Sequence, residues 1–127
     1  MSFSNYAGTE PIGLIAGAAI VRRRFVKVSA AQTVINTVAA TDMAVGVATE
    51  SEATAGLNVP VQMFGVAQVE AGAAIAAGAQ VTSDASGRAA TVAAGNTSYG
   101  IAITAAAAAG ETVMVLLATP NVNGPVN

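Results

Sequence analysis

The feature that most constrains this chain is an internal duplication. Gly17-Ala18-Ala19-Ile20 recurs 55 residues on as Gly72-Ala73-Ala74-Ile75, and Thr37-Val38-Ala39-Ala40 recurs 54 residues on as Thr91-Val92-Ala93-Ala94. One deletion reconciles the two shifts. At the shift of 54, Gly46-Val47-Ala48 falls on Gly100-Ile101-Ala102, Ala55-Gly56 on Ala109-Gly110, and Val59-x-Val61 on Val113-x-Val115. Alanine is too common here for its matches to count for much; the glycine and valine matches, in the same order in both halves, carry the argument. Gly56 and Gly110 each precede a Val-x-Val run, as expected where a turn needs positive φ before a strand. Two copies are too few for a solenoid, so the halves are expected to close on each other as one pseudo-symmetric barrel or sandwich.

β-Branched content and turn punctuation mark strands at residues 22–28, 33–38, 44–48 and 59–69, mirrored by 80–82, 88–92, 100–104 and 111–118. Ser83-Asp84-Ala85-Ser86-Gly87 is a turn by composition. Val59, Val61 and Met63 share one face, and Pro60 points to an edge or bulge. In residues 113–117 both faces are apolar, as in a central strand or one covered on both sides. The alanines 105–109 have the propensity for one helical turn, which leaves the class unchanged. The chain therefore reads as all-β: a small pseudo-two-fold β-barrel or sandwich from a duplicated unit of about 54 residues, with an extended N-terminal arm. Residues 17–118 form the domain, with repeat halves 17–69 and 72–118. Residues 1–16 lack any period and carry isolated apolar anchors, among them Phe3, Tyr6, Ile12, Leu14 and Ile15; they read as an arm that packs on a neighbour or extends its sheet. Residues 119–127, with two prolines and three asparagines, read as a flexible tail.

Composition then removes whole classes of function. The 127 residues suit one domain; 54% are hydrophobic, mostly small, and only 9% are charged, against about 25% in ordinary domains. Such a chain has a thin core and a weakly solvated surface, which suits coverage by neighbours. A net charge of -2 gives no field to gather nucleic acid or an anionic membrane. There is no cysteine and no histidine, so thiolate chemistry, the usual general base and the commonest metal ligand are missing together. The only nearby carboxylates are Glu50 and Glu52, with no Asp-rich loop to build a calcium site. Gly72 to Gly78 lacks the Lys-Ser or Lys-Thr of a phosphate loop, and Ser98 has only Lys27 as a conceivable base. No enzyme, cofactor or metal is expected. The first residues lack a signal-peptide pattern, and residues 95–100 interrupt the longest uncharged run with polar turn residues, so synthesis in the cytoplasm and no membrane span are expected.

Arg22, Arg23, Arg24 and Lys27 hold four of the five basic residues. In a strand Arg22 and Arg24 face one way and Arg23 the other. The cluster is either a charged edge that blocks stray sheet pairing or an ion-paired contact with an acidic partner.

Arg24-Phe25-Val26-Lys27-Val28, Val45-Gly46-Val47-Ala48-Thr49, the segment from Gly78 through Ser83-Asp84-Ala85-Ser86-Gly87 to Arg88, Gly100-Ile101-Ala102 and the ending 113–117 resemble the tailed-bacteriophage capsid decoration, or cement, proteins. The resemblance spans residues 17–118. It implies a small β-domain on the outside of an icosahedral head, commonly a homotrimer at three-fold positions, clamping adjacent major capsid protein subunits after expansion. It implies no catalytic residue, cofactor, small-molecule substrate or nucleic-acid partner. The candidate contacts are the arm anchors Phe3, Tyr6, Ile12, Leu14 and Ile15 together with Arg22, Arg23 and Arg24. Two other structural roles compete: a host-binding head-fibre or adhesin module, which would expect more exposed aromatics, and a tail-tube subunit, which would polymerise into rings unaided.

Overall fold

The computed structural model describes residues 12–48 and 54–122. Ten strands and no helix run through them: β1 (Ile12–Ala16), β2 (Arg24–Ala30), β3 (Thr33–Asn36), β4 (Ala44–Ala48), β5 (Asn58–Gln62), β6 (Gly65–Glu70), β7 (Gln80–Ser83), β8 (Ala89–Thr91), β9 (Thr97–Ala102) and β10 (Thr112–Val122). The first five close into a barrel in the order β1-β3-β2-β4-β5, and the last five form a sheet in the order β6-β10-β9-β7-β8.

These are two copies of one unit. Val26 opposite Gly46 on β2 and β4 recurs as Val81 opposite Gly100 on β7 and β9. Ala48 opposite Val61 recurs as Ala102 opposite Val115, and Leu14 opposite Val59 as Val69 opposite Val113. Even the parallel pair Ala16 and Val34 has its counterpart in the parallel bridge from Ala71 to Ala89. Gly46 and Gly100 are invariant between the halves for a steric reason: a Cβ on either would strike the backbone carbonyl of the opposing strand, at Gln62 and Leu116 respectively. The duplicated all-β architecture read from the sequence is the one observed.

The deletion sits one step later than the Thr-Val-Ala-Ala match suggests. The Thr37 N–H donates to the Phe25 carbonyl as the Val92 N–H does to the Gln80 carbonyl, whereas the Asp42 to Ala39 bond is repeated by Asn96 to Ala93. Thr37 therefore corresponds to Val92 rather than Thr91, and the missing residue falls at Val38, in the loop. A slip within the strand would have turned its side chains to the wrong face.

Several boundaries differ from expectation. Residues 12–16 are a barrel strand rather than part of an arm, because β1 pairs with both β5 and β3; its counterpart β6 pairs with β10 and is followed by the one bridge, Ala71 to Ala89, that repeats the parallel pairing. The run 59–69 is two strands broken at Met63 and Phe64, with Gly65 at a φ of 81°. β10 continues through residues 119–122 instead of fraying. Pro60 lies on no sheet edge; it faces Gly13 on β1, and the pairing to β4 begins only at Val61, so its missing N–H breaks no ladder bond there. Ala106, in the alanine run, bridges to Ile75 rather than starting a helix.

Each residue of the first barrel's own core, Ala16, Ile20, Val26, Val34, Ala48, Val59 and Val61, has a buried counterpart in Ala71, Ile75, Val81, Ala89, Ala102, Val113 and Val115. One difference between the halves joins them. The Ile15 N–H donates to the Gln32 carbonyl at 2.8 Å and helps close the first barrel. Their counterparts, Glu70 and Gly87, are parted by the start of β2: the Glu70 N–H donates to the Arg23 carbonyl at 2.8 Å, and the Phe25 N–H to the Gly87 carbonyl at 2.9 Å. Phe25 thus enters the second core, where its ring meets Tyr99 edge-on at 4.7 Å beside Ala44 and Val47. The first half supplies what the second lacks.

Candidate functional site

The loop between β3 and β4 seats one half on the other. The Asp42 carboxylate accepts from Lys27 Nζ at 3.0 Å and from the backbone N–H groups of Val38 at 2.8 Å and Ala39 at 3.1 Å. Burial works against its charge, but these donors outweigh it and hold the carboxyl below its ordinary pKa. Tyr99 Oη donates to the Asp42 carbonyl at 2.6 Å, and burial first, then the Asp42 charge, push the phenol well above its ordinary pKa. The Ala40 carbonyl accepts from the Thr97 N–H and from Thr82 Oγ1, and the Thr37 and Ser83 hydroxyls share a 2.6 Å bond. This joint is structural.

The arginines divide by role. Arg22 and Arg23 form the turn before β2 rather than alternating along a strand, so the expected opposition of Arg23 to its neighbours does not apply. Arg23 adopts φ 60° and donates its N–H to the Ala48 carbonyl; its counterpart is Gly78, at φ 88°, donating to Ala102. A non-glycine residue in this region costs about 1 kcal/mol. Arg24 is committed internally: it reaches the Ser86 carbonyl at 3.1 Å and Glu70 at 3.4 Å, while Arg88 joins Glu70 at 3.7 Å and Asp84 at 3.3 Å. Arg22 and Arg23 stay exposed, on the wall of an open hollow of about 350 Å³ shared with Val21, Arg24, Glu70, Gly110 and Thr112.

Among the other candidates, Leu14 is half-buried against the first core and serves packing, whereas Ile15 is 40% exposed. Ile12 lies opposite Val61 in the barrel register. Phe3 and Tyr6 lie outside the described residues. The sequence reading missed an outward apolar face on the second half. β10 is central, between β6 and β9, but only one of its faces is covered: Val113, Val115 and Leu117 point inward, while Met114 and Leu116 are exposed. Leu116 pairs with Val66 on one side and Ile101 on the other, and both are exposed too. The alternation in 113–117, set beside the match of Ile101 to Val47, was the signal available. Among the described residues, no three His, Cys, Asp or Glu side chains are grouped to hold a metal ion.

A duplicated β-unit whose prominent features are an arginine-lined hollow and an open apolar sheet face defines the class: an all-β protein that presents contact surfaces. The family model described as phage cement protein matches residues 8–117, and the chain belongs to that family. No curated protein matches the chain. Among solved structures, the N base of the head fiber gp8.5 of bacteriophage phi29 shares the fold, with a TM-score of 0.70 at 19% identity over 88% of this chain and 96% of that one. Both comparisons are with structural phage proteins rather than enzymes.

Proposed function

We propose that this protein is a capsid cement protein, made in the host cytoplasm and carried on the outer surface of an icosahedral phage head. There, associated as a homotrimer, it holds neighbouring major capsid protein subunits together. The observation that carries this reading is the family match across residues 8–117. The work is done by binding energy alone: no reaction, cofactor, small molecule, nucleic acid or membrane takes part. Arg22 and Arg23 are the contacts offered to acidic groups of the shell, and the anchors of the first residues, Phe3 and Tyr6 among them, add apolar contact.

The test is to add the purified protein to expanded heads that lack it, then measure co-sedimentation and the temperature at which the heads rupture. Saturable binding with a raised rupture temperature supports the reading; no binding to any expanded head of the cognate phage overturns it. The fold shared with a head-fibre base favours a second reading, a host-binding module on the head. Competition by the free protein against phage adsorption to host cells would favour that one. A tail-tube subunit would instead assemble into hexameric rings by itself.

A further inference from the structure

We propose that the outer face of β6, β10 and β9 is where a second copy of this chain docks; the inference rests on the self-association in the reading above. Two rows of side chains make the face. Val66, Leu116 and Ile101 lie in register across three strands, and the row continues to Gln80 on β7. Met114 lies beside them, opposite Gln68, and its carbonyl accepts from the Ile103 N–H at 2.7 Å. The five aliphatic side chains are between 38% and 49% exposed. Together they form one group of half-exposed apolar side chains on neighbouring strands, and a clustered apolar surface of this kind, unlike scattered single residues, points to a contact site.

The duplication indicates the occupant. The equivalent row of the first half is Gln62, Val47 and Phe25, paired in the same way across β5, β4 and β2. There Val47 and Phe25 are fully buried, because the second half of the chain sits on them. One row is covered by a unit of this fold; its duplicate, with Ile101 where the first half has Val47 and Leu116 where it has Gln62, is open. Within the molecule this face of the fold already serves as a contact between two units; because the interior of the second half is filled by Phe25 and Val47 of its own chain, a second copy meets the open row with its outer surface. Charge agrees with a self-contact. The charge on β6, Glu70, is paired with Arg24 and Arg88, so among the described residues β6 brings no unpaired charge to this face.

Sedimentation velocity of the full-length protein tests this. The native chain is expected to associate, and Leu116→Glu to weaken association about a hundredfold, as burying a charge in the centre of an interface does. Val28→Glu, at an exposed position of the first half, is expected to leave association unchanged. Circular dichroism checks folding; if Leu116→Glu unfolds, Leu116→Gln, which installs the residue of the equivalent first-half position, is read instead. An assembly unaffected by the folded Leu116 variant overturns the face while leaving the cement reading intact. A native chain that stays monomeric, yet binds heads through Leu116, also overturns it and makes the shell the occupant. A native chain that neither associates nor binds heads overturns both.

Discussion

Asp42 ties the loop between β3 and β4 to the second half: its carboxylate holds the loop and Lys27, while its carbonyl accepts from Tyr99. Its depressed pKa means that its stabilising contribution is present above the ordinary aspartate range and is lost as the pH falls through the folded-state value. Asp42→Ala is expected to cost about 2 kcal/mol near neutrality and to flatten the acid limb of the stability curve below about pH 4. Chemical denaturation across that range measures both. Tyr99 titrates with the opposite sign. Its raised pKa favours the neutral phenol in the folded state, so stability is kept below the ordinary tyrosine pKa of 10.0 and lost as the pH rises above it. Tyr99→Phe should remove that alkaline loss while costing about 1 kcal/mol at neutrality from the missing hydrogen bond. Gly100 is intolerant of a side chain: an alanine there meets the Leu116 carbonyl, and a loss of about 3 kcal/mol in thermal or denaturant unfolding is expected.

At the scale of elements, the consequential event is the insertion of the start of β2 between β6 and β8. Phe25→Ala removes the one large side chain that the first half sends into the second core, and about 3–4 kcal/mol should be lost. The loss should be uneven. Amide exchange at Glu70 and along β6 is expected to accelerate more than in β3 or β5, because the first barrel closes through its own Ile15 to Gln32 bond. A uniform acceleration in both halves would contradict this dependence. The duplication and most strands were legible because Gly-Val-Ala and Val-x-Val fix the pleat at two places in each half. β1 was not, since Ile12-Gly-Leu-Ile-Ala lacks polar alternation and lines up with β6 only through register. The insertion was hidden for a deeper reason: two similar copies give no local sign of which one opens to receive the other, and the difference the insertion turns on, Phe25 against Gln80, is one among several between them.

For the whole molecule, the arginine cluster was legible because charges are so scarce in this chain, but its partition was not. Sequence cannot show that Arg24 is spent on Glu70 and Ser86 while Arg22 and Arg23 face outward, for that depends on how the two halves meet. The partition gives the cluster a testable consequence. Arg23 occupies a backbone conformation that its counterpart leaves to glycine, so Arg23→Gly relieves strain and should leave the fold as stable or slightly more so. If Arg22 and Arg23 meet carboxylates on the head, the same substitution, and more strongly Arg22→Glu with Arg23→Glu, weakens binding to expanded heads by about tenfold or more and reduces its dependence on salt. Arg24→Gln should instead lower the unfolding temperature, because it breaks the link to Glu70 within the chain. Head-binding isotherms at two ionic strengths, set beside melting curves of the same variants, separate the two roles: binding lost without stability for Arg22 and Arg23, stability lost first for Arg24. Equal affinity of the doubly reversed variant at low salt would leave the hollow without a part in docking.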